Sequence, residues 1–106
     1  MPYLGRFKEK YGGDYPSIYS LTGYKYENKE KVLRYLTHAN ITAAAPGSAV
    51  DIISGEKIRG ELLAYSDGEY EWTSTVPFYV ERYNLKLPDE FIKKIMIHDI
   101  IFIIVL

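Results

Sequence analysis

The chain has 106 residues, 47 % of them apolar and 25 % charged, which is the size and balance of one globular domain and excludes a disordered tail, a collagen-like repeat and a polytopic membrane protein. With no cysteine, disulfides, thiolate zinc sites and cysteine nucleophiles are excluded as well. The formal net charge of −1 lacks the cationic surplus that displaces counterions from phosphates, so direct nucleic-acid binding is not expected.

The charge is unevenly spread. Residues 1–40 hold seven Lys/Arg against four Asp/Glu, whereas residues 41–90 hold four against nine. An acidic middle of this kind suits a basic protein partner. The start Met1-Pro2-Tyr3-Leu4-Gly5-Arg6 carries no apolar leader core, so the expected location is the cytoplasm.

In chain order, Ser17 to Tyr26 places tyrosines and a leucine in loose alternation, which predicts a strand. Asn28 is a candidate N-cap for a helix from Lys29 to Ala39 stopped by Asn40. Val32, Leu33, Leu36 and Ala39 fall on one face of it. Thr42 to Gly47 reads as a small-residue loop, Ala49 to Ile53 as a short strand and Ser54 to Lys57 as a turn. A strand from Ile58 to Tyr65 leads to Asp67-Gly68, which supplies the positive φ of a tight turn. The hairpin is expected over residues 58–73, with Tyr65 and Tyr70 paired across it. On the return strand Tyr70 and Trp72 alternate with Glu69 and Glu71, giving an aromatic face and an acidic one.

Ser74 or Thr75 caps a second helix bearing Val76, Tyr79, Val80 and Tyr83, with Asn84 as a left-handed stop. Pro88 opens a third, whose positive N-terminus meets Asp89 and Glu90. The apolar run Ile95 to Leu106 is 12 residues long and interrupted by His98 and Asp99, short of the roughly 20 that span a bilayer. Its β-branched part, Ile100 to Val105, favours a strand by local propensity or extends the third helix. As an exposed edge strand it would be a homodimerisation surface. These elements predict a single α+β domain over residues 1–106, a small antiparallel sheet with about three helices packed on it. The expected core is Val32, Leu36, Leu63, Trp72, Val80, Tyr83, Phe91, Ile92 and Ile95.

Catalytic patterns are missing. His38, in a last helical turn, is placed to meet the negative helix end, and His98, in an apolar run, reads as a hydrogen-bonded core residue. Metal spacings do not occur, Gly12-Gly13-Asp14 lacks the lysine and setting of a phosphate loop, and no nucleophile elbow exists. Glu69 and Glu71 share a strand face, but nothing near them in sequence separates their pKa values into acid and base. The expectation is a protein without catalytic residues, metal or cofactor; the alternatives are a small hydrolase using Glu69, Glu71 and a histidine, or a protein-binding adaptor. The chain has eleven tyrosines, residues enriched at protein interfaces. Those at 65 and 70, with Trp72, are interleaved with Glu61, Asp67, Glu69 and Glu71, so they would repel phosphate and suit a basic cleft on another protein.

The stretch Gly60-Glu61, Tyr65 to Trp72 and Pro77 to Phe91 resembles the core of small bacterial proteins. The short, cysteine-free, acidic-aromatic profile is similar to that of immunity proteins from toxin–immunity systems, including contact-dependent growth inhibition. The resemblance of the stretch covers about a third of the chain, brings no catalytic residue with it and does not extend past Lys94. The similarity of the profile to immunity proteins implies binding and neutralisation of a cognate toxin, a nuclease by charge. The expected toxin-binding residues are Glu61, Tyr65, Asp67, Glu69, Tyr70, Glu71 and Trp72.

Overall fold

The structure, a computed structural model, describes the backbone from Pro2 to Val105 and the side chains from Pro2 to His98. The elements run α1 (Lys8–Tyr11), a 3-10 turn (Ile18–Ser20), α2 (Lys29–Thr37), β1 (Asn40–Ala45), β2 (Leu62–Ser66), β3 (Glu71–Thr73), α3 (Thr75–Tyr83) and α4 (Asp89–Val105). The three strands form one antiparallel sheet in the order β1-β2-β3. The expected α+β class is therefore observed, with one-turn α1 added to the three expected helices.

Trp72 sits where the layers meet. It is fully buried, its indole Nε1 donates to the Leu36 carbonyl of α2 at 3.0 Å, and its ring stacks on Tyr65 of β2 and meets the edge of Phe91 of α4. Val32, Leu36, Val76, Val80, Phe91 and Ile95 close the core around it. Of the expected core residues, Leu63, Tyr83 and Ile92 are only partly buried and pack against its margin.

The N-terminal segment completes this arrangement. Tyr3 bridges Glu71 in parallel, Leu4 N–H donates to the Glu71 carbonyl at 2.8 Å, and Glu71 N–H donates to Pro2 at 2.9 Å. Residues 2–4 thus cover the outer edge of β3. Gly5 follows at φ 86°, where an added Cβ would lie 2.5 Å from Val76 Cγ2, so both backbone angle and packing call for glycine there.

Several segments depart from the expected pattern. The strand expected over Ser17–Tyr26 is instead a 3-10 turn followed by irregular chain. The Ser17 hydroxyl accepts Tyr19 N–H, and the Glu9 carboxylate accepts Ile18 N–H at 2.8 Å, so side chains take up amides that a sheet would have paired. Conversely, the loop expected over Thr42–Gly47 contains most of β1. Its alanines are poor strand formers, but pairing with Leu62–Ser66 overrides that preference.

The short strand expected over Ala49–Ile53 reduces to one bridge, Val50 to Lys57. Its cause is Asp51, buried, whose carboxylate accepts Ile53 N–H at 2.9 Å, the Ser54 hydroxyl at 2.9 Å and the Tyr83 hydroxyl at 2.6 Å. An aspartate that bonds the backbone two residues on makes a turn. The hairpin is shorter than residues 58–73, and its strands begin at Leu62 and end at Thr73. Tyr65 pairs with Trp72 rather than Tyr70.

Helix α2 ends at Thr37, with His38 as its C-cap, and the Asn28 side chain makes no capping bond. Asn84 does terminate α3 in the left-handed region, at φ 52°. The strand favoured by Ile100–Val105 is absent, because α4 continues through those residues. Helical continuation from Pro88 outweighs β-branched propensity there, and the dimerisation idea for residues 100–106 now rests on side chains outside the described residues. Among the described residues no helix is long and apolar enough to cross a membrane.

Since Trp72 is the one tryptophan, its fluorescence reports directly on the core. Trp72→Phe should cost about 1–3 kcal/mol, because it leaves the Leu36 carbonyl unpaired, and Trp72→Ala about 3–5 kcal/mol. Urea unfolding of the wild type should red-shift the emission in one transition, and unfolding followed by circular dichroism should rank the two variants in that order.

Candidate functional site

The acidic-aromatic hairpin is built from the turn outward. Asp67 Oδ1 accepts the backbone N–H of Glu69 at 2.9 Å and of Tyr70 at 2.7 Å, and Gly68 takes φ 92° between them. Its other oxygen accepts the Tyr35 hydroxyl of α2 at 2.7 Å and lies 3.0 Å from Lys94 Nζ of α4. Lys94 also reaches Glu69 Oε1 at 2.8 Å. One carboxylate therefore joins the hairpin to two helices, and its side chain is only 7 % exposed.

The electrostatics follow from these contacts. Burial alone would raise the Asp67 carboxyl, but bonds from Tyr35, the two amides and Lys94 outweigh it and hold the group below its ordinary value. Burial and the Asp67 carboxylate push the Tyr35 hydroxyl up to about 12. Burial would lower the Lys94 ammonium, yet Glu69 and Asp67 raise it above the ordinary lysine value.

The seven expected toxin-binding residues separate into two groups. Tyr65 and Trp72 are buried in the core and present no face to a partner, so they are corrected from anchors to framework. Asp67 is likewise turned inward. Glu61 is exposed, Glu69 is 64 % exposed while paired to Lys94, and Tyr70 and Glu71 are half-buried. Tyr70 packs edge-on against Phe91 with centroids 4.9 Å apart. Alternation along β3 did identify two faces, but the aromatic face is the inner one. Glu69 lines a shallow cleft with His98, while Glu71 lies at the bridge to Tyr3 on the opposite sheet margin. The two glutamates and a histidine are not assembled as the hydrolase alternative requires.

Two surface features escaped sequence reasoning. All six residues of β1 are exposed, including Ile41 at 59 %, and β1 is the edge strand of the sheet. The segment carries no charge and no proline, the usual guards of an open edge. No sequence signal marked it, because alanine and asparagine suggest a loop. The second is a cleft of about 380 Å³ lined by α2, the ends of β1 and β2, and α4. It gathers His38 and His98, sixty positions apart in the chain, beside Arg34. His38 contacts the helix end as expected, with Nδ1 2.8 Å from the Arg34 carbonyl. His98 is exposed rather than a core residue, its ring 5.6 Å from Tyr35; seven positions after Phe91 it continues the same helical stripe, but it lies past Ile95, the last buried residue of that stripe.

Among the described residues no cluster of three or more His, Asp or Glu is placed to hold a metal ion. Comparison with known protein families, curated proteins and solved structures found no match to this chain.

A carboxyl held below its ordinary value stabilises the fold above the unfolded pKa of about 3.9, and that stabilisation is lost as pH falls through the lower folded value. Asp67 and Asp51 are both of this kind. Urea stability should therefore fall below about pH 4, and Asp67→Asn should be less stable than wild type at pH 7 with a shallower acid decline. Equal slopes for variant and wild type would contradict the inward role of Asp67.

Proposed function

We propose that the chain is a non-enzymatic, immunity-type binding protein that neutralises a cognate toxin, a basic nuclease, by accepting one of its strands along β1. The observation that carries this reading is an uncharged six-residue edge strand with every residue exposed. The opposite sheet edge is covered by residues 2–4, so strand addition has one open side. Extended partners bind such edges through main-chain hydrogen bonds, with side-chain contacts giving specificity.

The acidic residues acquire a place in this geometry. Glu61 lies with Ala44 and Ala45 at one end of β1. Asn40, at the other end, pairs with Ser66 and lines the cleft that holds Arg34 and His38. Negative charge from Glu61 at the Ala45 end of a neutral strand would steer a basic protein toward that end, raising the on-rate more than the affinity. Ile41 supplies the exposed apolar contact. The short, cysteine-free, acidic-aromatic profile, similar to that of immunity proteins, supports the same partner class.

The test uses the product of the adjoining gene as partner, with binding followed by surface plasmon resonance and protection followed by co-expression. Ile41→Lys and Ala44→Lys place guards on the open edge and should raise the Kd by at least about tenfold, with melting temperature little changed. Glu61→Lys should slow association and flatten its salt dependence. Unchanged affinity in both edge variants, or a neighbour that neither binds nor is neutralised, would defeat the proposal.

A further inference from the structure

The cleft containing both histidines is chemically distinct from the neutral strand edge. Arg34 and His38 stand four residues apart and so share one face of α2 and its cap. Asn40 follows from β1, Ser66 lies on β2, and His98 comes from α4. Arg34 is exposed, and among the described residues its guanidinium has no ion-pair partner.

The geometry at His38 fixes which nitrogen is available. A carbonyl oxygen only accepts, so Nδ1, 2.8 Å from the Arg34 carbonyl, carries the proton. Nε2 is then the nitrogen left for a ligand, and it becomes a donor when the ring is protonated. The carboxylate lining the cleft, Asp67, is already engaged by Tyr35, two amides and Lys94. Lys31, also in the lining, donates to the Met96 carbonyl at 3.4 Å.

We infer that this cleft binds the phosphate group of a small phosphomonoester, held between the Arg34 guanidinium and the imidazoles of His38 and His98. A guanidinium grips two oxygens of a phosphate in parallel. Donors supplied by two separate elements, α2 and α4, can reach different oxygens of a tetrahedral anion. A volume of about 380 Å³ falls in the range of small-molecule sites, roughly 300–1,000 Å³, and exceeds what phosphate alone fills. The inference does not rest on the toxin-binding reading.

Among the described residues the charged and titratable groups around the site are Arg34 and Lys31 from α2, Asp67 of the hairpin with Lys94 of α4 bound to it, and the two imidazoles.

With only two histidines, the imidazole C–H resonances in proton NMR report on the site directly. The free protein is titrated with inorganic phosphate and separately with adenosine monophosphate, ionic strength being held with chloride. Both imidazole signals should shift saturably, and Arg34→Gln should weaken binding at least about tenfold while leaving the amide spectrum folded. Tighter binding of the nucleotide than of phosphate assigns the remaining volume to the esterified group. Shifts no larger than those from chloride, shifts at one histidine only, or equal binding by the nucleotide and phosphate would overturn the inference, as would undiminished binding in Arg34→Gln. None of these outcomes bears on β1.

Discussion

The contact on which the arrangement depends is the Asp67 carboxylate, held at once by its own turn, by Tyr35 of α2 and by Lys94 of α4. Local chemistry alone would let Asp67-Gly68 turn the chain, but it would not orient the hairpin against the helices. By bonding in three directions, one side chain fixes the direction in which β2 and β3 leave the helical layer. Trp72 then fills the space beneath, and its indole bond to Leu36 secures the same α2 from the core side. Polar and apolar contacts thus specify one docking of hairpin on helices, in which a buried carboxylate is tolerated because each oxygen has partners.

That constraint also redistributes the charge that the sequence displays. Read linearly, Asp67, Glu69 and Glu71 form an acidic ribbon facing a partner. In the fold, the first is internal, the second is bridged by Lys94 and the third belongs to the margin closed by residues 2–4. Asp51 is withdrawn in the same way by Tyr83 and Ser54. The excess of acid in residues 41–90 is therefore smaller at the surface than in composition, and the feature that carries the proposed binding role is geometric: an open, neutral strand edge.

What was legible in the sequence follows from which forces are local. The helical stripes of α2, α3 and the start of α4 were readable because Val32, Leu36, Val76, Val80, Phe91 and Ile95 repeat at helical spacing and are buried for that reason. Asn84 was readable as a left-handed stop. The strand β1 was hidden because its pairing with β2 is the cause of its structure, and nothing in Asn40–Ala45 favours it intrinsically. Ser17–Ser20 misled in the opposite direction, since its alternation is real but Glu9, eight or more residues earlier, takes the hydroxyl and amide at its start. The candidate site was partly legible: the hairpin was found, but which of its side chains point inward depends on Tyr35 and Lys94, and no spacing connects His38 to His98.

The most direct measurement of the central claim is a double-mutant cycle between Asp67→Asn and Lys94→Met, read as unfolding free energy at neutral pH. An inward carboxylate that ties hairpin to helix should show a coupling of about 1–3 kcal/mol between the two positions. Additive effects, with no coupling beyond error, would mean that Asp67 does not anchor the hairpin to α4, and the surface deduced from that anchoring would have to be redrawn.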